Sequence, residues 1–140
     1  MTVQGAIKAE YLPHDDEPFM CERQKEWFRK RLLDLKNEIY AESRETVESM
    51  QESATNIPDL VDRASAEADR ALELRTRDRQ RKLVSKIDSA LRRIENGEYG
   101  YCEETGEPIS LKRLIARPTA TLSLEAQERH ERREKVHRDE

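Results

Sequence analysis

The sequence predicts a mainly α-helical fold organised around a long antiparallel helical hairpin. Three observations predict it. Two long, charged segments each carry apolar residues at heptad-like spacing. A proline-marked break, Ile57-Pro58-Asp59-Leu60-Val61-Asp62-Arg63-Ala64, separates them. Finally, 40% of the 140 residues are charged, against 35% hydrophobic and 5% aromatic. That balance suits helices with a narrow buried seam on a small base, not one broad core.

The N-terminal residues 1–20 contain Pro13, Pro18 and the acidic pair Asp15 and Asp16 without periodicity. They read as an extended or loosely packed segment. Helical pattern begins near Cys21, and residues 21–96 read as the hairpin, with its tip at about 51–62. In the first arm Phe28, Leu32, Leu35 and Ile39 follow 4-3-4 spacing, which Val47 and Met50 extend. Trp27 and Leu33 lie off this seam.

The stretch from Met50 to Pro58 reads as the turn. In the second arm the apolar positions near the tip are small or scattered: Val61, Ala64, Ala68, Ala71 and Leu72. Further on, Leu83, Ile87, Leu91 and Ile94 give a 4-4-3 seam. At about 1.5 Å per residue a helix from Leu60 to Glu95 would run about 54 Å. Asn96-Gly97 is a helix stop with a glycine suited to the left-handed C-terminal position.

Residues 97–140 start with a Gly-rich knuckle, Glu98 to Ile109. A short apolar patch of Leu111, Leu114 and Ile115 follows, closed by Pro118. Ser123 is a good N-cap for a last, highly charged helix to about His137.

Two aspartates mark the tip. Asp59 is placed to cap the second helix and Asp62 lies three residues on, so capping is the plain reading of both. Their position at the end of a slender hairpin gives the sharper one: carboxylates delivered where a globular body cannot go. Residues 41–62 hold six acids against Arg44, whereas 75–93 hold eight bases against Asp78 and Asp88. This polarity suits oriented docking on a macromolecule, and a formal net charge of −4 argues against general nucleic-acid binding. No apolar run reaches the roughly 18–20 residues of a membrane span, and the chain start lacks a signal-peptide pattern. The expectation is a soluble, cytoplasmic protein with Cys21 and Cys102 as reduced thiols.

Four motifs in order resemble the DksA-type bacterial transcription factors of the DksA/TraR family: Pro58 to Ala64, Leu72 to Arg79, Tyr99-Gly100-Tyr101-Cys102, and Arg113 to Ala120. The resemblance covers roughly residues 20–130. It implies a coiled-coil hairpin on a globular base with a degenerate zinc-finger-like region at 97–140. It also implies a monomeric, non-enzymatic partner of RNA polymerase that enters the secondary channel, with no sequence-specific DNA binding. By resemblance Asp59, Asp62 and Ala64 are the tip residues that modulate open complexes, and Arg79 is a polymerase contact. Leu83, Lys86, Arg117 and Gln127 match positions at the interface where the alarmone ppGpp is held, Gln127 standing where relatives often carry Lys.

The family's four-cysteine zinc site falls on Cys102, Thr105, Ser123 and Ala126. Only Cys102 supplies thiolate, and a structural zinc takes four N or S donors, so the expectation is a base that takes no zinc. In its place Tyr99, Tyr101, Cys102, Leu111, Leu114, Leu122 and Leu124 are expected to pack together. Cys102 reads as a buried small hydrophobe, with redox sensing as the alternative.

Two other functions compete. A transcript-cleavage factor of the same channel would place its hairpin first, whereas here it is internal. A coiled-coil protein of some other assembly would not need acids at a Pro-marked turn. Neither a glycine-rich phosphate loop nor a nucleophile–base pair favours an enzyme.

Overall fold

The computed structural model describes residues 11–55 and 60–139; within them, the side chains of 46, 49–50, 52–55, 60–62 and 138–139 lie outside the description. Four helices follow one another: α1 (Glu22–Thr55), α2 (Leu60–Asn96), α3 (Leu111–Ala116) and α4 (Leu124–Asp139). The helical hairpin expected from the heptads is present. Helix α1 continues to Thr55, further than the turn expected from Met50. Among the described residues no helix is long and apolar enough to cross a membrane.

The chain divides into two compact units: residues 33–89, and the described parts of 1–32 with 90–140. In the 33–89 unit the two arms run antiparallel, as their cross-links show. Lys36 Nζ donates to Asp88 Oδ1 at 2.7 Å, and Gln80 Nε2 donates to Glu42 Oε2 at 3.2 Å. On α1 the shielded positions Leu35, Ile39, Ser43 and Val47 follow the expected seam. On α2 they do not. Ala66, Arg70, Glu73, Arg77, Gln80, Val84 and Ile87 form the shielded row, at 4-3-4-3-4-3 spacing, while Ala64, Ala68, Ala71 and Leu72 are exposed. The seam read from apolar residues alone is therefore displaced. Register in a coiled coil is continuous, and the strong anchor Ile87 carries its phase up the arm through mostly polar positions. Leu83, expected in the seam, is 41% exposed and Leu72 59%.

The other unit holds most of the buried apolar side chains. Phe28, Leu32, Ala90, Ile94, Tyr99, Ile109 and Leu114 are almost fully enclosed. Phe28 and Tyr99 meet ring to ring at 5.3 Å, and Tyr99 OH donates to Pro118 O at 2.6 Å. Of the packing residues expected here, Tyr99, Cys102, Leu111 and Leu114 are buried, whereas Tyr101 and Leu124 face outward. Leu122 is half-buried. Gly97, at φ +76, ends α2 where a side chain would be strained, and Glu98 and Tyr99 N–H groups both close on Arg93 O.

Residues 11–20, read from sequence as loosely packed, are tied to the start of α1 by one buried side chain. Gln24 Oε1 accepts from Met20 N at 2.8 Å, and Nε2 donates to His14 O at 3.1 Å and Glu17 Oε2 at 3.2 Å. Tyr11 OH donates to Glu17, and the Arg23 guanidinium stacks over Tyr11 at 3.8 Å. Phe19 packs edge-on against Tyr101, and both Phe19 and Met20 approach so close to Gly100 that a Cβ there would meet them at 3.1–3.3 Å.

Candidate functional site

Helix α2 positions the first group of candidates, and Asp62 falls in its first turn. Asp59 lies outside the described residues, as does the side chain of Asp62; the helical backbone at 62 is what is placed. Ala64 is exposed.

Further along α2, Arg79, Leu83 and Lys86 are all exposed. Their 4-3 spacing puts them on one helical face, and Leu72, eleven residues before Leu83, falls on the same face, since eleven residues make close to three turns. The resulting stripe combines two aliphatic side chains with two cations and points away from the seam. Leu72 and Leu83, 59% and 41% exposed, leave apolar area open on this face. Sequence reasoning placed Leu83 in the seam and on the interface at once; the structure resolves it to the outer face.

Arg117 and Gln127 belong to the other unit. Arg117 caps α3, its N–H donating to Arg113 O at 2.7 Å, and its side chain is exposed. The cap at the opposite end is Ser110, whose Oγ accepts from Arg113 N. Gln127, on α4, is half-buried and donates from Nε2 to Glu131 Oε1 at 3.2 Å, so its amide is engaged within its own helix.

Of the four finger positions, Thr105 and Ser123 meet Cys102 at its thiol. Tyr101 and Pro108 form an isolated bridge, Cys102 N donates to Glu107 O at 2.8 Å, and Glu103 N donates to Thr121 O at 2.9 Å. Ser123 caps α4, its Oγ accepting from Ala126 N at 3.2 Å, and Ala126 is fully buried. Around the Cys102 thiol, burial alone would push its pKa up. Hydrogen bonds from the Thr105 side chain and from backbone N–H groups of Ser123, Thr105 and Glu104 outweigh this and bring it down to about 6. Thr105 and Ser123 thus address the same sulfur, through hydrogen bonds. The one thiol does not by itself complete a four-sulfur donor set, and among the described residues no three His, Cys, Asp or Glu side chains converge as a metal site.

Comparison with known proteins accounts for this arrangement. Residues 24–94 match the profile of the DnaK suppressor protein DksA N-terminal domain. Residues 97–132 match the prokaryotic dksA/traR C4-type zinc finger. The second match corrects one expectation: the segment is of a zinc-finger family, zinc binding by it is possible, and the reading that the base takes no zinc does not stand. Thiolate count alone was too narrow a ground for that reading. An RNA polymerase-binding transcription factor DksA of Caulobacter vibrioides is 70% identical over 132 residues, 94% of this chain and 93% of its own. Its Escherichia coli K12 counterpart is 44% identical over 126 residues, 88% of this chain and 83% of its own. The solved structure of transcription factor DksA2 from Pseudomonas aeruginosa superposes with a TM-score of 0.79 at 41% identity, covering 94% of this chain and 98% of that one. With both family profiles in order along one chain and relatives alike over nearly its full length, the chain belongs to the DksA/TraR family.

Proposed function

We infer that this chain is a transcription regulator that binds RNA polymerase and has no enzymatic chemistry of its own. The observation that carries this is the 70% identity, across 94% of the chain, to a relative named as an RNA polymerase-binding transcription factor. The exposed stripe of Leu72, Arg79, Leu83 and Lys86 supports it, because it offers cations and apolar area on one pre-ordered helix, at little entropic cost on docking.

In this reading the protein is a cytoplasmic monomer whose hairpin enters the secondary channel. Asp59 and Asp62 then bring negative charge near the active centre, while the small Ala64 permits a tight contact. Arg79 meets the polymerase. Leu83, Lys86, Arg117 and Gln127 border a ppGpp site shared with it, where Arg117 supplies a bidentate cation for phosphate. Gln127 supplies no charge there, which lowers ppGpp synergy relative to a lysine.

The test is transcription in vitro from a ribosomal RNA promoter with and without ppGpp. Inhibition that ppGpp strengthens is the expected result. Asp62→Asn is expected to keep polymerase affinity and lose the effect on the promoter; a mutant that regulates like the parent removes the tip assignment. Arg117→Ala is expected to inhibit without ppGpp enhancement.

A further inference from the structure

We propose that the flank of the hairpin carries a nucleotide-binding groove, in which a base stacks on Tyr40 and its phosphate sits between Arg77 and Arg81. The groove lies between the two arms within the 33–89 unit, has a volume of about 200 Å³, and is lined by Tyr40 and Ser43 from α1 and by Arg77, Gln80 and Arg81 from α2. A second, adjoining groove of about 400 Å³ shares Tyr40 and Ser43 and adds Arg44.

Four features give it this chemistry. Tyr40 is 47% exposed although it sits on a coiled-coil arm, and the Lys36 Nζ that lies over its ring at 5.9 Å is already paired with Asp88. An exposed aromatic ring is a stacking platform for any base. Arg77 and Arg81 stand one helical turn apart, and among the described residues no ion pair engages either. Paired guanidinium groups are the preferred holders of phosphate. The Oε1 atom of Gln80 is buried without a hydrogen-bond donor, while its Nε2 is committed to Glu42. An orphan acceptor costs stability unless something donates to it, and an exocyclic amine of a base is a donor of the right kind. Glu48 lines the adjoining groove beside Arg44, which turns a phosphate toward the Arg77 and Arg81 side.

The groove is separate from the stripe assigned to polymerase. Arg79 is two residues from both Arg77 and Arg81, hence about 200° round the helix from each. Nucleotide binding in the groove is therefore independent of the polymerase reading. The same chemistry is offered by a free mononucleotide and by the end of a single-stranded RNA.

The test is titration calorimetry on the full chain with AMP and with a 5′-phosphorylated tetraadenylate. Saturable binding is expected, weakened about tenfold or more by Tyr40→Ala and by Arg77→Gln, and unchanged by Lys30→Ala, which removes an exposed cation of the other unit. Tighter binding of the tetraadenylate than of AMP assigns the groove to an RNA end; equal binding assigns it to free nucleotide. Tyr40→Leu, which keeps apolar bulk without the stack, is expected to repeat the loss should Tyr40→Ala fail to fold. Absence of binding of both probes to the parent chain, or binding undiminished in both Tyr40 variants, overturns the proposal.

Discussion

The two units of this chain solve the problem of stability in different ways. In the unit formed by the described parts of residues 1–32 and 90–140, aromatic and aliphatic side chains from α1, the end of α2, the knuckle and α3 enclose one another. Phe28, Leu32 and Leu114 have no exposed surface at all. In the 33–89 unit, Ile39 and Ile87 are the buried apolar side chains among the described residues, and most of the α2 seam beyond Ile87 is polar. One unit is held by packing, which is dense and geometrically demanding. The other is held by helix continuity and a few cross-arm polar pairs, each of them weak. The difference teaches where this chain places its tolerance: the arms are built for surface, the core for permanence.

The largest expected effect tests the packed unit. Phe28→Ala removes a ring that fills the space against Tyr99, and should cost about 3–5 kcal/mol in chemical denaturation. A loss below about 1 kcal/mol would mean that the core collapses around the gap and that packing is not what distinguishes the units. Next, Tyr99→Phe keeps the ring but leaves Pro118 O without its buried donor. About 1–2 kcal/mol is expected, measured as a shift in denaturation midpoint.

A smaller effect belongs to the arms. Lys36→Ala breaks the cross-arm pair with Asp88, in which the side chains are 25% and 38% exposed. Solvent screening weakens such a pair, so the midpoint should move less than it does in Tyr99→Phe. A shift comparable to that of Phe28→Ala would erase the distinction between the units.

The smallest expected effect is the pH dependence of the N-terminal clasp. The Tyr11 hydroxyl, more than any other group, holds the Glu17 carboxyl below the usual carboxylate range, with Gln24, His14 and Arg23 assisting. A depressed carboxylate adds stability that is present above its unfolded pKa and is lost as pH falls through the folded one. Burial first, and then Glu17, push Tyr11 from 10.0 up to about 12, so its contribution is complete below the first value and lost as pH rises through the second. Glu17→Gln is expected to flatten the acid limb of the stability curve; an unchanged limb would show that residues 11–20 are held by Phe19 and Met20 instead.

Much of this was legible in the sequence. The helical period of Phe28, Leu32, Leu35 and Ile39, the stop at Gly97 and the cap at Ser123 each follow from local chemistry that needs no distant partner. The seam of α2 was not legible, because Ala64, Ala68, Ala71 and Leu72 look like a core and Arg70, Glu73 and Arg77 look like a surface. Phase propagates along a rigid helix from Ile87, so a weakly apolar stretch cannot choose its own face. Gln24 gave no signal either, since a glutamine on a charged helix is indistinguishable from its exposed neighbours until residues 11–20 fold over it. Among the candidate residues, Arg79 and Lys86 came from the family resemblance, and their seven-residue spacing could have put them on one face; Tyr40 could have been noticed as an aromatic off the seam. Gln80's orphan oxygen could not.

By itself, then, the sequence determined the hairpin, the stop at Gly97, the cap at Ser123 and the membership of its family, because helix period, glycine, capping hydroxyls and motif order are local and survive without tertiary contacts. Tertiary structure alone decided which face of α2 is shielded and that Leu83 faces outward. It also decided how Thr105 and Ser123 gather hydrogen bonds around Cys102 until its thiol is drawn down to about 6. Burial and hydrogen-bond geometry are properties of groups distant in the chain, and only folding brings them together.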